Sequence, residues 1–171
     1  MRAERGSARQ AVALYFTRCN RALRRSAATE DWMSEDMQSI VDRARQDRME
    51  GQLREALQGY ERAADLARAA NAIRHLAYAQ RHVGDLQREL GQHRSAESAA
   101  AEAVALYRQH GGGASLDLAN ALRVRALAQE SLGKLPEAEI SWREAKPLYD
   151  AVGVPAGVQE CDEHLARLDS A

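Results

Sequence analysis

Bulky residues are scarce in this chain of 171 residues, which has one Phe, two Trp and five Tyr, or 5% aromatics. Strand-forming residues are few as well, and an all-β fold is excluded. Cysteines number two, Cys19 and Cys161, far apart and in no CxxC pair, so neither a disulfide framework nor zinc-knuckle spacing is visible. Two reduced thiols in a cytoplasmic protein are the expectation. No apolar run approaches the ~20 residues of a membrane-spanning helix. The run Ala11-Val12-Ala13-Leu14-Tyr15-Phe16 is too short for a signal-peptide core.

Alanine is what the chain has in abundance, 34 residues of 171. With arginine, glutamate, glutamine and leucine it favours helix. A core with so little bulk must come from elements that approach closely, as helices do when small residues occupy their contacts. One folded domain is expected at this length, burying roughly 70% of its unfolded surface.

A net charge of −1 argues against a general nucleic-acid binder. That balance hides an asymmetry. Residues 1–28 carry seven arginines against Glu4 alone, a surplus of +6, whereas residues 29–171 carry 17 bases and 24 acids, or −7. The basic start reads as an amphipathic helix for an anionic surface, as a transit peptide, or as an extension ahead of the folded body. Met33-Ser34-Glu35-Asp36-Met37 resembles a natural beginning for the folded body. Residues 1–32 are therefore expected to be a basic extension, or an extra helix from about Ala8 to Arg25, and residues 33–171 the folded domain.

Internal periodicity organises that domain. Gly51, Gly91 and Gly133 stand 40 and 42 residues apart. In the same register come Ala56, Ala96 and Ala138, then Tyr60, Ala100 and Trp142, then Ala63, Ala103 and Ala145. Ala44, Gly84 and Ala126 precede each glycine by seven residues. The pattern is that of antiparallel helix pairs with the glycine at the turn and small residues on the facing sides. Helices are expected at about 34–49 with 52–70, 72–89 with 92–110, and 115–131 with 135–151. A last helix at about 155–168 carries Val158, Cys161, Leu165 and Leu168 at three-to-four spacing and covers the end of the array. Pro136 suits a first helical turn, while Pro147 should bend its helix or end its regular part early.

This pattern resembles the tetratricopeptide repeat over about residues 37–151. The repeats are similar to the long, 40–42-residue kind of kinesin light chains and many bacterial repeat proteins. The stretches Leu116–Leu122 and Tyr149–Gly153 bound the clearest unit, and Gly59–Ala64 ends the first. The middle unit departs from the pattern, with Ala100 for the bulky residue and His93 where Leu53 and Leu135 stand. The resemblance implies an all-α, right-handed superhelical solenoid of three helix pairs (about 37–71, 72–114 and 115–153) with a capping helix at 154–169.

Little else in the chain suggests chemistry. Gly111-Gly112-Gly113 lacks the Lys and Ser/Thr of a phosphate loop and reads as a connector. His75 and His82 share a helix face but not the spacing of a metal pair. No nucleophile setting is evident, so no enzyme, cofactor, metal or small-molecule substrate is expected.

The resemblance implies that the first helix of each pair lines a concave groove. Its residues out of phase with the small contacts are Gln38, Val41, Arg45 and Arg48, then Tyr78, Arg81, Asp85 and Arg88, then Asn120, Arg123, Leu127 and Glu130. Five arginines stand there against two acids, a balance suited to acidic segments or peptide carboxylates. Arg45, Arg48, Tyr78, Arg81, Arg88, Asn120 and Arg123 are the candidate peptide-binding residues. The lysine-and-asparagine clamp by which some relatives hold chaperone C-termini is not matched, since Val41, Arg45, Arg81 and Asp85 occupy its places and only Asn120 fits. The expected function is a non-catalytic protein- or peptide-binding scaffold. The alternatives are self-association as a homo-oligomer, or membrane or nucleic-acid association through the basic arm.

Overall fold

A computed structural model describes residues 35–110 and 115–170. Seven helices follow one another among them: α1 (Glu35–Met49), α2 (Leu53–Ala69), α3 (Ile73–Glu89), α4 (His93–His110), α5 (Leu116–Ser131), α6 (Leu135–Ala151) and α7 (Pro155–Leu168). Each expected span holds to within one residue at either end. The expected helix at 8–25 and the glycine run 111–113 lie outside the described residues.

The tight turns share one geometry. Gly51, Gly91, Gly133 and Gly153 have φ between 69° and 81°, the left-handed region that costs other residues roughly 1–2 kcal/mol. The next N–H then reaches back to a carbonyl of the last helical turn, as from Gln52 to Asp47 and from Gln92 to Gln87, both at 2.8 Å. Four last-turn carbonyls across the array are satisfied this way. Asn71, with φ of 51°, plays the same part between α2 and α3, where the Ala72 N–H meets the Ala67 carbonyl at 2.8 Å. Asparagine tolerates this conformation best after glycine, and its spacing of 20 residues from both Gly51 and Gly91 makes it the unnoticed member of the repeat.

Each helix packs on its neighbours in sequence, and α3 also touches α5 directly. The first helices of successive pairs thus form one row. The contacts are built from the small columns: Ala44, Ala126, Ala56, Ala96, Ala138, Ala103 and Ala145 are all fully buried. A Cβ on Gly84 would come within 3.1 Å of the Ala96 carbonyl and 3.2 Å of the Ala100 amide, so the backbones of α3 and α4 run almost in contact. Bulk enters only at intervals, through Tyr60, Leu86, Leu122, Trp142 and Tyr149, each at most 1% exposed.

Three terminal details complete the stack. Ser115 caps α5, its hydroxyl accepting from the Leu118 N–H at 3.1 Å, an arrangement worth about 1 kcal/mol. Pro136 sits in the first turn of α6, as expected. Pro147 does not end α6, which continues to Ala151. Both Pro147 and Arg143 are exposed, so the carbonyl deprived of its N–H lies on the watered side of the helix.

The last helix, α7, closes on α6. Gly157 lies under the Tyr149 ring, where a Cβ would sit 2.5 Å from ring carbons. Cys161 is fully buried beside it, and burial pushes its thiol up to about 12. Val158, Leu165 and Leu168 are only half-buried, so α7 covers the array without being fully covered itself.

Candidate functional site

The row formed by α1, α3, α5 and α7 carries most of the expected binding residues, and ion pairs and hydrogen bonds join α1 to α3 and α5 to α7. Arg45, on α1, donates from Nε and Nη2 to the Tyr78 hydroxyl on α3 at 3.2 and 2.8 Å and pairs with Asp42 at 2.6 Å. The Tyr78 ring lies near two guanidinium groups, 5.7 Å from Arg45 and 5.4 Å from Arg81. Such contacts contribute on the order of 1 kcal/mol each when partly desolvated.

One helical turn further, Arg48 bridges α1 to α3 by pairing with Asp85 at 2.6 Å and with Glu89. Arg88 takes the other Asp85 oxygen at 2.9 Å. Burial would raise the Asp85 carboxyl, but Arg48, Arg88 and Arg123 around it outweigh burial and hold it well below the usual carboxylate range. Arg123, on α5, forms a two-pronged bond with Glu160 of α7, both arms at 2.7 Å. These pairs tie α1 to α3 and α5 to α7, across sequence separations of 33 to 37 residues.

The remaining candidates are placed differently. Asn120 is buried, and its carboxamide oxygen accepts from the Tyr149 hydroxyl at 2.9 Å, inside the α5–α6 contact. Glu130 turns toward α7, accepting from the Trp142 indole and meeting His164 Nδ1 at 2.6 Å. Burial would raise the Glu130 carboxyl, and the His164 and Trp142 bonds bring it below its ordinary value instead. Val41 is core, at 1% exposure.

Sequence reasoning missed the acids that join this row. Asp42 and Glu89 lie one helical position outside the selected register, and Glu160 comes from the capping helix. Four of the five arginines therefore face Asp42, Asp85, Glu89 and Glu160, and the surplus of charge is much smaller than the linear count suggests. Arg81 is the exception. It is 5% exposed, with Nη2 on His82 Nε2 at 2.8 Å and the Tyr107 hydroxyl beside its guanidinium.

His82 packs beside these groups. His82 stacks on Tyr60 with centroids 4.5 Å apart and planes 10° apart. Burial, then the charges of Arg81 and Arg48, hold it well below its usual value, hence neutral. Among the described residues no three His, Cys, Asp or Glu side chains are grouped to hold a metal ion, and no helix is long and apolar enough to cross a membrane.

No family model and no curated protein matches this sequence. Solved structures do match. A TPR-like protein from Chlorobium tepidum TLS superposes with a TM-score of 0.67 at 16% identity, over 78% of this chain and 94% of that one. A putative kinesin light chain with nearly identical TPR-like repeats from Podosopora anserina gives 0.59 at 16% identity, over 98% and 89%. The first TPR of Spaghetti (RPAP3), solved bound to the HSP90 peptide SRMEEVD, gives 0.59 at 20% identity, over 78% and 96%. The chain thus has the tetratricopeptide-like helical-repeat fold, and one structure of that fold holds a peptide.

Proposed function

We propose that this tetratricopeptide-like stack is a non-catalytic scaffold that binds a protein or peptide along the row of α1, α3 and α5, with preference for acidic segments. The observation that supports it most is the pair of contacts between α1 and α3, Arg45 with Tyr78 and, one turn on, Arg48 and Arg88 with Asp85. The side chains of Arg45, Arg48 and Arg88 are 24%, 28% and 26% exposed, enough for a ligand to reach them. A guanidinium has five N–H donors, and none of the three uses them all internally. A ligand carboxylate would exchange with Asp42 or Glu89, which are exposed, rather than with buried Asp85. A surface already ordered by its own ion pairs loses little entropy on binding.

Fluorescence anisotropy with acidic, neutral and basic labelled peptides tests this reading on the full chain. Acidic peptides should bind, more weakly at high salt, and R45Q/R88Q should lose at least tenfold in affinity. Equal affinity for all three peptide classes would remove the acidic preference. Binding unchanged in the double variant would remove this face as the site.

A second reading, self-association, draws on the half-buried Val158, Leu165 and Leu168 of α7 and on exposed Ile140 and Met49. A mass by light scattering that stays monomeric across concentration would end it.

A further inference from the structure

The last described helix, α7, is a first helix by register. Ala44, Gly84 and Ala126 share one position of the repeat, and Ala166 of α7 is its fourth member, 40 residues further on. Ala44 and Ala126 are fully buried, and Gly84 all but touches the α4 backbone, because a second helix lies against each of them. Ala166 is exposed. So is Gln159, at the position of Ala77 and Ala119, which are at most 1% exposed. The face of α7 that a following second helix would cover is thus uncovered among the described residues.

Ion pairs between successive second helices show what kind of residue belongs there. Twelve positions after Ala56 and Ala96 stand Arg68 and Arg108, and six positions after Ala96 and Ala138 stand Glu102 and Glu144. Arg68 meets Glu102 at 3.0 Å, and Arg108 meets Glu144 at 2.6 Å. Glu102 also accepts from Gln80 of α3, the first helix between. At α7 the signs are reversed. Asp150 of α6 takes the place of the two arginines, and Asp162 of α7 takes the place of Gln80. Asp150 is exposed and makes no ion pair among the described residues, while Asp162 has Lys146 at 2.6 Å. Both line one open hollow of about 460 Å³ with Val154, Pro155, Val158 and Glu163. Between α2 and α4 two donors hold one carboxylate. Here carboxylates stand where those donors were, so the residue that completes the arrangement is a cation.

The sequence holds a segment with that cation. Residues 8–25, outside the described residues, repeat the pattern of a second helix. Val12, Phe16, Cys19 and Leu23 have the spacing of Ala138, Trp142, Ala145 and Tyr149. The position of Glu102 and Glu144 is then filled by Arg18, with Arg9, Arg21, Arg24 and Arg25 nearby in sequence.

We infer that residues 8–25 of one copy dock as a second helix on the α7 face of another, with Arg18 in the hollow of Asp150 and Asp162. The inference rests on the self-association reading and deepens it. Such a contact joins two different surfaces, so it propagates from copy to copy rather than closing on a pair.

The test is sedimentation of the full chain over a range of concentrations. At low salt the average mass should climb past that of a dimer as concentration rises, and salt should reverse this. A166R places a long side chain on the exposed position where the other helix pairs come closest. It should abolish assembly and leave the circular dichroism unchanged. D150R and R18E should each weaken assembly by about tenfold or more, because each sets like charges against one another. Mixed in equal amounts, the D150R and R18E chains should assemble again, since every mixed junction pairs opposite charges. A wild type that stays monomeric would overturn this docking and the self-association reading together. Assembly that persists in A166R, or single variants that mixing fails to rescue, would overturn the docking alone.

Discussion

The Tyr60 ring of α2 lies flat on the imidazole of His82 in α3, centroids 4.5 Å apart. The relationship recurs at the end of the array, where Trp142 of α6 meets His164 of α7 at 4.2 Å and 31°. His82, Val124 and His164 occupy the same register position on successive first helices. An aromatic on a second helix is thus matched by a histidine on the next first helix, twice out of three. In the middle unit Ala100 takes the aromatic position and Val124 the histidine position, with Val124 Cγ1 only 3.4 Å from where a Gly84 Cβ would stand. The departure of the middle unit is a matched set: small Ala100, Gly84 without a side chain, and apolar Val124.

Restoring the repeat consensus should therefore harm the protein. A100Y would force a ring into backbones already in contact and should cost about 1–3 kcal/mol. W142A, which removes the fully buried indole, should cost about 3–5 kcal/mol. Urea unfolding monitored by circular dichroism measures both. A stabilised A100Y would show that the middle unit is underpacked rather than matched.

Asp85 gathers Arg48 and Arg88 in a mostly buried site, its own side chain 13% exposed. D85N keeps the shape and leaves both guanidinium groups without that charge, so a loss of about 3 kcal/mol is expected. E139Q breaks the Arg143–Glu139 pair, which is exposed, and should change stability by less than about 0.5 kcal/mol. Equal effects in the two variants would mean that the Asp85 site behaves like open surface.

Stability should fall as pH drops below 6.5. Burial lowers His75 to about 4 and, with nearby Arg81 and Arg48, lowers His82 well below 6.5. Between pH 6.5 and 4 the unfolded chain binds protons that the folded chain refuses, so stability rises with pH there and is lost on acidification. The slope can reach about 1.4 kcal/mol per pH unit for each histidine. Urea midpoints at pH 7.5, 6 and 5 should fall in that order, and less steeply in H82F. A flat wild-type profile would show that neither imidazole stays neutral on folding.

G157A should loosen the capping helix. Its Cβ would fall 2.5 Å from the Tyr149 ring, a fully buried group that cannot yield freely. A loss of about 1–3 kcal/mol is expected, with faster amide exchange in α7 than in α5. Exchange unchanged in α7 would mean that the ring has room to shift.

Much of the fold was written in the sequence. The glycines at 51, 91 and 133 and the alanine columns in their register are local statements, one about backbone conformation and one about how closely two helices pass. Each can be read from spacing alone, and the helix ends fell within a residue of that reading. Asn71 escaped because it does glycine's work with a different side chain.

The binding face was legible only as a set of positions. Which arginines retain free charge depended on Asp42, Glu89 and Glu160, and on the burial of Arg81 among His82, Tyr78 and Tyr107. Those partners come from other helices or from the next register position. Charge compensation is a property of distance and dielectric, and neither exists along a linear chain until the helices are packed.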